Sequence, residues 1–137
     1  MKQEKKKDNY NGILQKPIGS GFTPYSTAAE VIKGIDLTGK TIIVTGGYAG
    51  IGLETVKTFA RAGATVIVPA RDEEKASKNL KSVDGVITEK MDLMNSSSID
   101  AFADRFLAKY NSLDILVNNA GIFNAIDERL GVGVAYR

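Results

Sequence analysis

No cysteine and no histidine occurs in these 137 residues. Disulfides, a zinc site, a cysteine nucleophile and any histidine-based triad are therefore excluded for this chain. Metal binding would have to rest on carboxylates alone, and no acidic cluster in the sequence suggests it. Long apolar runs are missing as well. No stretch approaches the ~20 residues needed to cross a bilayer, and no signal-peptide core follows the opening lysines. A soluble, cytoplasmic chain without a membrane span is the expectation. Charge of one sign is scarce too. Residues 1–7 hold four lysines and one glutamate, which leaves 14 basic against 15 acidic residues from position 8 onward. The body is no polyanion-binding surface, so nucleic acid is not an expected partner. The lysine run reads as a solvated terminus rather than a lure for nucleic acid or membrane.

What is present is ordinary globular composition, 43% hydrophobic and 25% charged, in a length that suits one core and not two. Residues 1–25 are polar, and "IGSGFTP" at 18–24 reads as loop or linker, so a flexible N-terminal segment is expected there. A short helical lead-in is expected over 26–39. Thr27 and Glu30 have capping-box spacing, with Val31, Ile32 and Ile35 on one side. This element reads as a packing arm rather than a site.

From Lys40 the pattern becomes regular. Residues 41–44 form a β-branched run without polar alternation, as expected of a strand covered on both faces. A glycine turn follows, then a helix over about 51–62 with Leu53, Val56, Phe59 and Ala60 at helical spacing. Residues 65–68 make a second strand. The alternation continues with a charged helix at 72–80, a strand at 86–91, a helix with Ile99, Phe102, Phe106 and Tyr110 on its apolar face, and a strand at 114–117. Ser97 and Asp100 are the expected cap of that last helix. Strands alternating with helices predict an α/β fold, a Rossmann-type doubly wound parallel sheet of strand order 3-2-1-4.

The turn itself, "TGGYAGIG" at 45–52, places Gly46, Gly50 and Gly52 between a strand and a helix. At such a junction unpaired backbone N–H groups and the positive end of the helix dipole face a cleft, and glycines let a pyrophosphate approach them. The spacing is neither Gly-x-Gly-x-x-Gly nor a P-loop. Taken alone it is either a nucleotide turn or a plain tight turn; the strand before it, the helix after it and the second strand favour the former.

The end of the second strand bears on which dinucleotide is bound. An acid about 20 residues beyond the glycines would bind a ribose 2′-OH, and an arginine there accommodates a 2′-phosphate. Ala70 stands 18 positions after Gly52 and is followed by Arg71, which favours NADP(H) over NAD(H). Asp72 keeps the other choice open, since its carboxylate could reach the ribose after a small shift of the turn. Asp92 ends the third strand, either to accept from an adenine amino group or to cap a helix. "NNAG" at 118–121 ends the fourth, where amides and a glycine suit a ligand-facing edge.

Together "TGGYAGIG", "PAR" at 69–71, "MDL" at 91–93 and "NNAG" resemble the short-chain dehydrogenase/reductase family, in order and in spacing. "STAAEVIKGIDLTGK" at 26–40 resembles the lead-in of its retinol-dehydrogenase-like and WW-domain-oxidoreductase-like branch. The resemblance covers residues 26–123, with 40–123 as a partial dinucleotide-binding domain. It implies that Gly46, Gly50, Ile51 and Gly52 line the diphosphate, that Arg71 meets the 2′-phosphate, and that Asp92 and Leu93 flank adenine. Asn118 would support the central sheet, with Ala120 and Gly121 beside the adenosine ribose. The implied reaction is hydride transfer between a nicotinamide and a small-molecule alcohol or carbonyl. A tyrosine acidified by a lysine four residues later, and helped by an upstream serine, would perform it.

That tyrosine-lysine pair does not occur. The residues four positions after Tyr10, Tyr25, Tyr48 and Tyr110 are Leu14, Ala29, Gly52 and Asp114, and Tyr136 is one residue from the end. By the resemblance, a further helix and a fifth strand would come next, whereas "DERLGVGVAYR" from Asp127 departs from the family, within an atypical tail at 124–137. A frameshift, a truncated reading frame or a fragment would each leave such a tail. The expectation is a cofactor-binding half that is inactive alone. The alternatives are a non-enzymatic nucleotide-binding or interaction module, or a truncated product without function. An apolar fourth strand left at a sheet edge is expected to be marginally stable and prone to self-association.

Overall fold

The computed structural model describes residues 19–121. Most of the expected N-terminal segment, and the whole tail at 124–137, lie outside the described residues. The order is α1 (Ala28–Val31), β1 (Thr41–Val44), α2 (Gly50–Arg61), β2 (Thr65–Ala70), α3 (Glu73–Leu80), β3 (Val86–Lys90), α4 (Ser96–Lys109) and β4 (Ile115–Val117). The four strands form one sheet ordered β3-β2-β1-β4, and every pairing is parallel. This is the predicted α/β architecture with the predicted strand order.

The two central strands, β1 and β2, are buried from their second residue onward because helices cover both faces. Ile42, Val44, Val66 and Val68 point to one face and pack with Val56 of α2 and Leu80 of α3. Ile43 and Ile67 point to the other, where Met91 and the α4 residues Phe102 and Phe106 close over them. Alternate residues thus feed two separate half-cores, as the pleat requires. Along α4 the aromatic face continues as a stacked Phe106–Tyr110 pair with centroids 5.0 Å apart.

Polar contacts set the ends of the elements. The Thr27–Glu30 capping box is present, with Glu30 N–H donating to Thr27 Oγ1 at 3.2 Å and Thr27 N–H donating to Glu30 Oε2 at 2.6 Å. At the start of the sheet Asp114 accepts from Lys40 Nζ at 2.8 Å and from Thr41 N–H at 2.9 Å, which ties β4 to β1. The Lys40 ammonium, then the Thr41 amide, hold the Asp114 carboxyl below its usual range. One cap differs from expectation. Asn95, not Ser97 with Asp100, caps α4, accepting from Ser98 N–H at 3.3 Å. Ser98 Oγ is meanwhile taken by Asp92 N–H at 2.9 Å, so a run of three serines beside an asparagine left the capping residue ambiguous in the sequence.

Candidate functional site

The carboxyl ends of all four parallel strands converge at one edge of the sheet, the place where open α/β sheets hold ligands. β1 runs out through Thr45 into the glycine turn. Thr45 is buried; its hydroxyl accepts from Asn119 N–H at 3.1 Å and from Ala120 N–H at 3.0 Å. Asn119 Nδ2 returns the contact, donating to Thr45 O at 3.0 Å and to Gly46 O at 3.3 Å. The "TG" ending β1 and the "NNAG" ending β4 are therefore stitched into one polar seam.

Gly46 and Gly50 adopt left-handed backbone, with φ +65° and +53°, which a side chain would strain. At Gly46 a Cβ would stand 3.0 Å from Ala120 Cα, so the close approach of β1 and β4 also requires glycine there. At Gly50 a Cβ would meet no protein atom within 4 Å, and the open side is available to a ligand. Gly52 serves packing. A Cβ there would run into Asn119 Nδ2 and lie 2.5 Å from Gly46 O. Gly47, which the sequence did not single out, packs the turn on α2, where a Cβ would come within 2.7 Å of Val56 Cγ2.

Three of the four described helices begin on a side-chain cap: Thr27 for α1, Asp72 for α3 and Asn95 for α4. α2 begins on Ala49 with no side-chain cap and no acid in its first turn. Its first bond is Leu53 N–H to Ala49 O at 3.2 Å. The amides of Gly50, Ile51 and Gly52 thus have no acceptor among the described residues, at the positive end of a twelve-residue helix. Ile51 contributes its backbone here, since its side chain is 82% exposed.

Between these strand ends lies a cleft of about 280 Å³. It is lined by Gly46 and Tyr48 of the glycine turn, Pro69 and Arg71 at the end of β2, Met91 to Met94 after β3, and Ala120 with Gly121 after β4. Gly46, Arg71, Asp92, Leu93, Ala120 and Gly121 of the sequence-derived set are brought together in it, whereas Gly50, Ile51, Gly52 and Asn118 are not among its lining residues. The Arg71 guanidinium donates to no described residue, whereas Asp72 Oδ1 is occupied as the α3 cap, accepting from Lys75 N–H at 3.0 Å. Asp92, unlike Asp72, is not a helix cap. Its Oδ1 accepts from Met94 N–H at 2.9 Å, and its second oxygen has no partner among the described residues. Asn118 is exposed and makes no side-chain hydrogen bond among them, so the seam belongs to its neighbour Asn119. Two adjacent asparagines gave no signal of which would turn inward; that depends on where β4 stops alternating.

Two further contacts were not legible in the sequence. Asn79 Nδ2 of α3 donates to Tyr48 O at 2.8 Å, and Lys90 Nζ of β3 donates to Arg71 O at 2.6 Å. Both pin a backbone carbonyl of the cleft wall from a different element. No group of three His, Cys, Asp or Glu side chains that could hold a metal exists among the described residues, and no helix there is long and apolar enough to cross a membrane. The cleft offers amides, an arginine, a carboxylate oxygen and apolar walls, which are tools for holding a nucleotide.

Comparison with known proteins agrees with this geometry. The family model described as short chain dehydrogenase matches residues 40–131. Human retinol dehydrogenase 11 is 43% identical over 94 residues, covering 64% of this chain and 30% of that protein. The WW domain-containing oxidoreductase of Gallus gallus is 40% identical over 115 residues, covering 80% of this chain and 28% of that protein. The chain spans less than a third of the length of these relatives. Among solved structures, a Pseudomonas aeruginosa RhlG/NADP active-site complex superposes with TM-score 0.59 at 33% identity, covering 64% of this chain and 35% of that one. A 3-ketoacyl-(acyl-carrier-protein) reductase from Brucella melitensis complexed with NADH gives 0.58 at 35% identity, covering 64% and 36%. On the match across 40–131 and the strand-end seam that underlies it, the chain belongs to the short-chain dehydrogenase family.

Proposed function

We propose that this chain supplies the NADP(H)-binding part of an oxidoreductase that moves a hydride between nicotinamide and a small-molecule alcohol or carbonyl. The Gly50, Ile51 and Gly52 amides would hold the diphosphate, Asp92 and Leu93 the adenine, and Arg71 the 2′-phosphate. When bound, the nicotinamide gives or takes the hydride. The residues of this chain bind and orient the dinucleotide; the 137 residues contain no Tyr-x-x-x-Lys, and by themselves they turn over no alcohol or carbonyl.

One observation carries the choice of NADP(H). At the end of β2 the arginine borders the cleft with its guanidinium unengaged, while the neighbouring carboxylate is committed to the α3 cap. A charge-assisted contact is worth ~1.5–3 kcal/mol, discounted here because Arg71 is exposed. About a tenfold preference for NADPH over NADH is the expected result. Titrating the purified chain with each, by intrinsic tyrosine fluorescence or calorimetry, tests it. Equal affinities would remove the assignment to Arg71, and NADH binding more tightly would reverse it.

A second reading rests on β4. It lies at the sheet edge, no described strand pairs with its outer side, and Leu116 is 52% exposed. Such an edge can accept a further strand, which supports an interaction module or self-association. NADPH binding without turnover fits both readings; reduction of any aldehyde by the isolated chain would contradict the proposed inactivity.

A further inference from the structure

The polypeptide at the end of β2 carries two adjacent side chains of opposite charge, Arg71 and Asp72. Which of them faces the ribose depends on the peptide plane that joins them. That plane is held at its carbonyl. Arg71 O, the carbonyl of the 71–72 peptide, accepts from Lys90 Nζ at 2.6 Å. On the other side of the same peptide, Asp72 is held by its bond from Lys75 N–H at 3.0 Å.

Lys90 is well placed for this. It is the last residue of β3 and sits opposite Ala70 in the β2 register, and Met91 N–H extends the ladder by donating to Ala70 O at 3.0 Å. By strand alternation Lys90 shares the face of Val86, the α2 and α3 side of the sheet, while Glu89 faces α4. Lys90 is anchored in turn, because Arg105 of α4 donates to its backbone carbonyl and to Glu89 Oε2. Its ammonium forms no ion pair with any described carboxylate. A flexible, strongly hydrated side chain at a strand end is thus committed to one backbone oxygen beside the cleft.

We propose that Lys90 is a positioning residue that determines cofactor selectivity, by fixing the Arg71–Asp72 peptide so that the cleft is given an arginine and not an aspartate. The proposal rests on the dinucleotide reading above. With Lys90 removed, the 71–72 peptide can rotate and the Arg71 guanidinium can turn away from the cleft, while Asp72 keeps its own bond from Lys75 N–H. The consequence is specific: NADPH binding weakens while NADH binding is unchanged or improves. A lysine that merely stiffened the fold would weaken both alike.

The test uses the full 137-residue chain and its Lys90→Met, Lys90→Gln, Arg71→Ala and Lys90→Met/Arg71→Ala variants, each titrated with NADPH and with NADH after a thermal melt. Lys90→Met and Lys90→Gln are expected to shrink the NADPH-to-NADH affinity ratio at least fivefold. In the Arg71→Ala background Lys90→Met is expected to change the ratio no further, because its effect passes through Arg71. Equal loss for both dinucleotides would overturn the proposal in favour of fold support. A multiplicative effect in the double variant would overturn it in favour of direct phosphate contact by Lys90. Asn79→Ala provides the contrast, since it frees the Tyr48 carbonyl near the part common to both dinucleotides and should weaken both equally. A parent chain that bound neither dinucleotide would instead sink the underlying reading, an outcome distinct from a parent that discriminates and a Lys90 variant that still does.

Discussion

Replacing Gly52 with alanine should destabilise the chain although the position is helical. On propensity alone the change is favourable, worth up to ~1 kcal/mol in a helix interior. The geometry opposes it. The new methyl would lie 2.5 Å from Gly46 O and overlap Asn119 Nδ2. The first is backbone and cannot swing aside, and the second is already bonded to Thr45 O and Gly46 O. Overpacking of this kind costs ~1–3 kcal/mol, and displacing two hydrogen bonds costs ~0.5–1.5 kcal/mol each. After subtracting the propensity gain, the net loss is roughly 1–5 kcal/mol, centred on ~3. For a domain near 100 residues this lowers Tm by roughly 10 °C or more. Circular dichroism melts of the parent and Gly52→Ala measure it directly. An unchanged or raised Tm would refute the claim that Gly52 is where the turn, the helix and Asn119 are locked together.

Gly50→Ala should behave differently: its methyl enters open space, so stability falls only by the ~1–2 kcal/mol of left-handed backbone strain, while calorimetry should find both dinucleotides weakened. Asn119→Ala is expected to cost ~1–3 kcal/mol in urea unfolding because it leaves Thr45 O and Gly46 O without their donor, and Asn118→Ala, on an exposed side chain, to stay within ~0.5 kcal/mol; the reverse order would show that the seam has been assigned to the wrong asparagine. Glu89 is held below the usual glutamate range by Lys109 first and Arg105 next. Its stabilisation is therefore complete above the unfolded value and lost as pH falls through the depressed folded one, so the gap in urea midpoint between parent and Glu89→Gln should be full at pH 7, begin to shrink as pH falls past the ordinary glutamate value of about 4.3, and vanish only in more acid solution. Leu116→Lys, on the open edge of β4, should reduce self-association in light scattering without lowering Tm; a parent that is already monodisperse would end that expectation.

The sheet was legible because its signals were redundant. Four short strand-like runs alternating with helices, two of them buried on both faces, can hardly be placed other than in a parallel sheet, and right-handed crossovers then leave little choice of order. The glycine turn was legible for the same reason: a strand before it and a helix after it gave its spacing a meaning. Boundaries and partners were less so. The α4 cap was assigned to the wrong residue because Asn95, Ser96, Ser97 and Ser98 are all competent caps, and only the position at which the backbone turns helical chooses among them.

The residues that hold the cleft in shape escaped sequence reading for a further reason. Asn119, Asn79 and Lys90 all donate to backbone carbonyls, of Thr45 and Gly46, Tyr48, and Arg71, across separations of 74 and 73, 31 and 19 residues. A carbonyl has no sequence identity, so no spacing rule can pair a side chain with it. Each of these carbonyls lies in a segment outside helix and strand, and there the sheet and helix ladders cannot supply a donor. Side chains from neighbouring elements must do it. A dinucleotide cleft of this kind is therefore specified twice: once by glycines and strand ends, which can be read, and once by distant amides and ammonium groups that keep the irregular backbone in place. It is this second set that links the backbone at the end of β2 to the packing of α4 through Lys90, Arg105 and Glu89.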